Sequence, residues 1–192
     1  MKRRLADYVF LFIVAGAVVA LDQACKSLVR VNLAPGEIYH PELWLSQYVR
    51  LVHLHNSGAA IGLLPGFGDI FMLLSALISL AVLYYYGRIP HQQWLLRLSM
   101  ALVLGGAVGN LIDRLHQGYV TDFISLLNIP VFNLADLSVL IGFILLFIDL
   151  WRKEQKKSLV QNSATQGEDS GDEEKSGQNH TSNKSLEEGR SG

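Results

Sequence analysis

Cysteine is nearly absent. Cys25 is the one thiol in 192 residues, which excludes an intramolecular disulfide framework and a cysteine-built metal site and leaves the redox compartment open. Six histidines are scattered along the chain without an H-E-x-x-H or comparable spacing; His53 and His55 flank a single residue, so no metal and no cofactor is assigned. Net charge is also nearly absent, at −1, and no nucleic-acid partner is expected. That total conceals two unlike regions: 13 basic against 10 acidic residues through Lys157, then 3 against 7 beyond it. The region after Lys157 lacks aliphatic residues almost entirely, so it cannot bury enough apolar surface to offset chain entropy and is expected to be a disordered tail.

Charge is missing altogether from Tyr8 to Leu21 and from Ile70 to Tyr86. Half of all residues are hydrophobic, and they gather upstream of the tail. The basic head before Tyr8 admits a signal peptide, with Ala24-Cys25 as a faint lipoprotein box, but Asp22 and Gln23 occupy positions that want small or aliphatic residues. A first transmembrane helix fits better, because Asp22 and Lys26 stand four apart on one helix face and can pair. Three further apolar segments follow, the second closing on Tyr84-Tyr85-Tyr86, an interfacial aromatic group. Gly105, Gly106, Ala107 and Gly109 give the third a small-residue face for close packing. The expected fold is an all-α polytopic membrane protein with spans at 6–29, 68–87, 95–112 and 131–151, forming a domain over 1–153 before a tail at 154–192.

Between the first two spans, Pro35-Gly36, Pro41 and Pro65-Gly66 mark turns, and Tyr48 to His55 (YVRLVHLH) reads as a strand. It runs into HNSGAAIG, where Asn56, Gly58 and Gly62 allow tight turning or close approach.

Basic residues in short loops mark the cytoplasmic side. Lys2, Arg3, Arg4, Arg88, Arg97 and the run from Arg152 to Lys157 fall together in a four-span arrangement, placing both termini inside. Arg30, Arg50 and Arg114 are exceptions on the outer side. On that side the first span ends with Asp22 and Lys26, Asn56 precedes the second, Asn110, Asp113 and Arg114 end the third, and Asn133 and Asp136 begin the fourth. Residues from separate stretches thus reach one membrane depth. Helix capping by Asn133 and interfacial ion pairs account for part of this pattern. Asp136 is harder to explain structurally, as a carboxylate one turn inside a span with no cation near it in sequence.

Asp122 and Asp136, if brought together, cannot both ionise cheaply and share a proton. One then activates water against an amide carbonyl while the other polarises that carbonyl and protonates the leaving nitrogen. Asn110 and Asn133, each three residues before an aspartate, are placed to position the pair or hold substrate backbone. A small transporter or channel subunit, binding ions or protons at Asp22, Asp122 and Asp136, is the alternative. Against it, the polar residues gather at one face rather than at mid-membrane, and no inverted repeat is visible.

DQACK (Asp22 to Lys26), NSGAAIG (Asn56 to Gly62), GGAVGNLIDR (Gly105 to Arg114), GYVTDF (Gly118 to Phe123) and FNLAD (Phe132 to Asp136) resemble, in order, the signature boxes of the lipoprotein signal peptidases, signal peptidase II. The likeness covers about residues 8 to 151. It implies a bacterial inner-membrane aspartyl endopeptidase of four helices with a small β-rich extracytoplasmic part. Its substrate would be a diacylglyceryl-modified prolipoprotein, cut before the lipid-bearing cysteine near the outer face, with membrane lipids as surroundings and no obligate protein partner. The resemblance puts the catalytic dyad on Asp122 and Asp136 and support on Asp22, Lys26, Asn56, Asn110, Asp113, Arg114 and Asn133. Ile61 departs from the phenylalanine frequent in the family.

Overall fold

A computed structural model describes residues 2–40, 48–58, 68–127 and 129–158. Pro41, Pro65, Ile61, Gly62 and the tail past 158 lie outside the described residues. The chain divides into two compact units, Met1–Phe147 and Ile148–Gly192.

Four helices long and apolar enough to cross a membrane carry the first unit: α1 (Lys2–Asn32, apolar from Tyr8), α2 (Gly68–Tyr86), α3 (Trp94–Gln117) and α4 (Leu134–Ser158), whose last residues belong to the second unit. Half of the apolar window of α3 is buried, against 17%, 11% and 17% for α1, α2 and α4, so α3 is the central helix and the others cover it. The remaining faces present large apolar side chains outward, such as Ile13, Leu28, Leu80 and Phe143; patches on that scale suit hydrocarbon rather than water. Leu11 and Ala15 of α1, Val82 and Tyr86 of α2, and Ala101, Val103 and Leu104 of α3 form the buried apolar core. In the second unit the described residues are helical, with Lys153 pairing Asp149 one turn back at 2.6 Å.

The glycines of α3 do what their spacing suggests. A methyl on Gly105 would strike Val18 of α1, and one on Gly106 would strike the Ala135 carbonyl and Val139 of α4. These contacts let two helices approach α3 at backbone distance.

Three strands form one antiparallel sheet in the order β1 (Ile38–Tyr39), β2 (Val49–Asn56), β3 (Val120–Leu126). The Tyr48–His55 run is therefore extended as its β-branched and aromatic content implies, shifted by one residue. Sequence patterning did not reveal β3. Its first four residues are buried, so it lacks the in-out alternation that marks a half-buried strand.

Several helix limits differ from those expected. The first helix continues to Asn32 rather than ending near 29, and the third to Gln117 rather than 112, because buried ion pairs let polar turns remain helical inside the protein. Gly118 then stops α3 in the left-handed conformation (φ 77°), its N–H bonded to the Arg114 carbonyl, as glycine commonly does at this position. Residues 131–133 are not helical. Phe132 exchanges two backbone hydrogen bonds with Ile124 of β3, at 2.8 and 3.0 Å, and α4 starts only at Leu134 before running past 151.

Candidate active site

The return of the chain beside β3 brings the two aspartates into one place. Asp122 lies on β3, paired in register with Leu54 of β2. Phe132 bridges to Ile124, so the next residue, Asn133, reaches Asp122 and donates through Nδ2 to Oδ1 at 2.7 Å. Asn133 also caps α4: its Oδ1 accepts the Asp136 N–H at 2.9 Å, while Asp136 Oδ2 accepts the Asn133 N–H at 3.3 Å. This reciprocal pair is a capping box. The cap and the contact to Asp122 are made by one side chain.

Asn110 of α3 joins the two halves. Its Nδ2 donates to Asp136 Oδ1 at 2.7 Å, and its Oδ1 accepts from Asn133 Nδ2 at 3.1 Å and from Lys26 Nζ at 3.0 Å. Asn56, the last residue of β2, donates to Asp122 Oδ2 at 2.9 Å and turns its own Oδ1 to the Gly58 N–H. Both carboxylates therefore hold directed N–H donors on each oxygen.

Beneath them lies a buried ionic cluster. Lys26 is fully enclosed between Asp22 (2.8 Å) and Asp113 (3.1 Å), both with side chains at 0% exposure. Breaking such a pair by removing one partner is costly, since the remaining charge stays buried. The cluster also fixes backbone: Asp22 Oδ1 accepts the Ala135 N–H and Asp113 Oδ2 accepts the Thr121 N–H, each at 3.0 Å. Gly109 makes room for the Asp22 carboxylate, where a methyl would come within 2.9 Å of Oδ2.

All nine residues singled out in the sequence belong to this one network or line its cavity. Three more contribute. Gln23 Nε2 donates to Asp113 Oδ1 at 3.0 Å and to the Gly109 carbonyl at 3.1 Å. Arg30 approaches Asp113 Oδ1 at 3.6 Å and donates to Thr121 Oγ1 at 3.1 Å. The signal for Arg30 is its place four residues after Lys26, on the face shared with Asp22; nothing local in sequence marks Thr121.

Asp122 and Asp136 line a cavity of about 610 Å³ with Arg114, Asn56 and a largely apolar wall that includes Phe71, Val131, Phe132 and Leu140. A second cavity of about 380 Å³ shares Phe71, Arg114, Asp136 and Leu140 and is lined by α2, α3 and α4 as far as Ile78, Val103 and Phe143. Those residues stand seven beyond Phe71, Asn110 and Asp136, which is about 10 Å along each helix axis. Arg114 lies within electrostatic reach of Asp136, Asp122 and Asp113. Burial pushes the Asp122 pKa up to about 6; the Asn56 hydrogen bond opposes this and the neighbouring Asp136 carboxylate adds to it.

The chain is similar to known proteins in sequence and in fold. The family described as Signal peptidase (SPase) II matches residues 14–152. The lipoprotein signal peptidase of Moorella thermoacetica is 44% identical over 129 residues, 67% of this chain and 84% of that one. That of Bacillus subtilis is 35% identical over 154 residues, covering 78% and 98%. A bacterial membrane enzyme solved by the in meso method at 2.3 Å superposes with a TM-score of 0.71 at 30% identity, over 77% of this chain and 91% of that one. The chain belongs to the signal peptidase II family.

Proposed function

We propose that this protein is an aspartyl endopeptidase that removes signal peptides from diacylglyceryl-modified prolipoproteins, cutting before the lipid-bearing cysteine with Asp122 and Asp136. Its family is one of peptidases, and four apolar helices fit a multi-pass protein of the bacterial inner membrane. The observation that carries the reading is that both aspartates line one apolar-walled cavity while sharing Asn133 as a hydrogen-bond donor or cap.

Asp122, with its pKa raised by burial and by Asp136, is the proposed carrier of the shared proton. It polarises the scissile carbonyl and then protonates the leaving nitrogen, while Asp136 takes a proton from the attacking water. Arg114 beside both carboxylates is suited to hold substrate backbone or to offset charge as the tetrahedral intermediate forms. The apolar wall suits a lipid-bearing segment. Residues 1–153 are the proposed catalytic domain and 154–192 a cytoplasmic tail; both termini are proposed to face the cytoplasm and the site to open near the outer face, a reading that the distribution of basic residues supports. Family membership leaves the transporter alternative without support.

Asp122→Asn and Asp136→Asn test the proposal in cells lacking the native activity, with a lipidated precursor followed by gel mobility. Each variant should insert at normal abundance and accumulate uncleaved precursor. Normal processing in either would overturn the dyad.

A further inference from the structure

His53 and His55 take no part in the proposed chemistry, yet β2 sets them on one face with their ring nitrogens converging. Their Nε2 atoms are 3.2 Å apart. Two nitrogens bound at about 2.0–2.1 Å to one tetrahedral cation stand about 3.3 Å apart, so the pair already has the bite of a chelate. Both rings are held. His53 is buried, at 4% exposure, and its Nδ1 lies 2.8 Å from the Leu33 carbonyl. A carbonyl only accepts, so Nδ1 carries the hydrogen and Nε2 presents its lone pair. This is the outer partner that orients metal-bound histidine elsewhere. The His55 ring stacks on Tyr119, with centroids 3.9 Å apart, and is exposed to solvent.

We propose that His53 and His55 form a two-histidine site for a divalent transition cation of the zinc and copper class, to which imidazole nitrogen is suited. Without the cation, His55 Nε2–H donates to His53 Nε2. On binding, the His55 hydrogen moves from Nε2 to its Nδ1, and the cation takes the position between the two lone pairs. Among the described residues no third histidine, cysteine or carboxylate completes a cluster, so water fills the other positions. The site lies outside the four spans, on the strand whose next residue, Asn56, donates to Asp122.

The full chain, solubilised in detergent and bearing no histidine tag, is titrated calorimetrically with zinc chloride and, separately, with copper(II) chloride. Wild type should bind one equivalent of zinc. Loss of an outer-sphere partner alone weakens metal sites about 10–100-fold, so His55→Ala and His53→Ala should each weaken binding at least tenfold. His55 is exposed, so its variant separates ligand loss from misfolding. His116→Ala, removing another exposed histidine, should bind as wild type does. Absence of saturable binding to wild type, or unchanged affinity in His55→Ala, would overturn the proposal; neither result bears on the peptidase reading.

Discussion

The Asp113 carboxylate accepts the backbone N–H of Thr121, the residue before Asp122. Asp22 does the same for Ala135, the residue before Asp136. Each proposed catalytic aspartate thus follows a residue whose backbone is tied to the Lys26 cluster, and one buried cation sets the position of both. Asp113→Ala should cost about 3–5 kcal/mol of stability, because Lys26 then keeps a single counter-charge in a fully buried site. Asp113→Asn retains an acceptor for Thr121 and should lose less. Thermal unfolding in detergent, read beside precursor cleavage, checks the order; equal stability of the alanine variant and wild type would contradict it.

A second expectation concerns pH. Asp122, with its pKa near 6, is protonated below that value and ionised above it. The Asn56 N–H bonded to Oδ2 favours the ionised form. Its removal in Asn56→Ala therefore raises the pKa further, and the inflection that Asp122 contributes to cleavage should move to higher pH. Profiles of kcat/KM from about pH 5 to about pH 8 report the free enzyme's groups. A shift toward acid would count against Asp122 as the titrating member.

How far the sequence reveals this arrangement depends on whether a residue's role is local. Tyr8 to Leu21 and Ile70 to Tyr86 show their helices because hydropathy is a property of the segment itself. Asp22 and Lys26 show their pairing because four residues make one helical turn. Strand β3 stayed hidden, since its burial comes from α1, α3 and the network around it rather than from an alternating pattern. Thr121 stays hidden for a related reason: what matters there is a backbone N–H donated to Asp113 and a hydroxyl oxygen that accepts from Arg30, partners 8 and 91 residues away. Val131 and Phe132 are apolar enough to read as part of the fourth span, but the backbone of Phe132 is committed to β3 and α4 starts at Leu134.

Asn133 offers a way to separate folding from chemistry. Asn133→Ala removes both the α4 cap and the donor to Asp122 Oδ1. Asn133→Ser restores a capping oxygen but is too short to replace the amide at Asp122. The serine variant should regain the roughly 0.5–2 kcal/mol that a cap contributes. Its cleavage rate should remain depressed by about 10²-fold or more, as for other lost donors at a reacting centre. Equal recovery of stability and rate would make Asn133 a cap alone.

Gly106 tests whether the approach of α4 to α3 governs the geometry of Asp136. A methyl there meets the Ala135 carbonyl and the Val139 side chain, and the carbonyl cannot turn away without disturbing the first turn of α4. Overpacking of this kind costs about 1–3 kcal/mol. Ala135 is also the residue whose N–H is held by Asp22, so relief of the clash displaces the neighbouring Asp136 from Asn110. Misplacement of a reacting group by about 1 Å is enough to lower a rate about 10²-fold. Gly106→Ala should therefore lose cleavage out of proportion to its stability. Gly16→Ala, where nothing lies within 4 Å, should be neutral or slightly more stable, because alanine favours helix over glycine by about 1 kcal/mol. If both variants cleave precursor at the wild-type rate, close packing at Gly106 does not position Asp136.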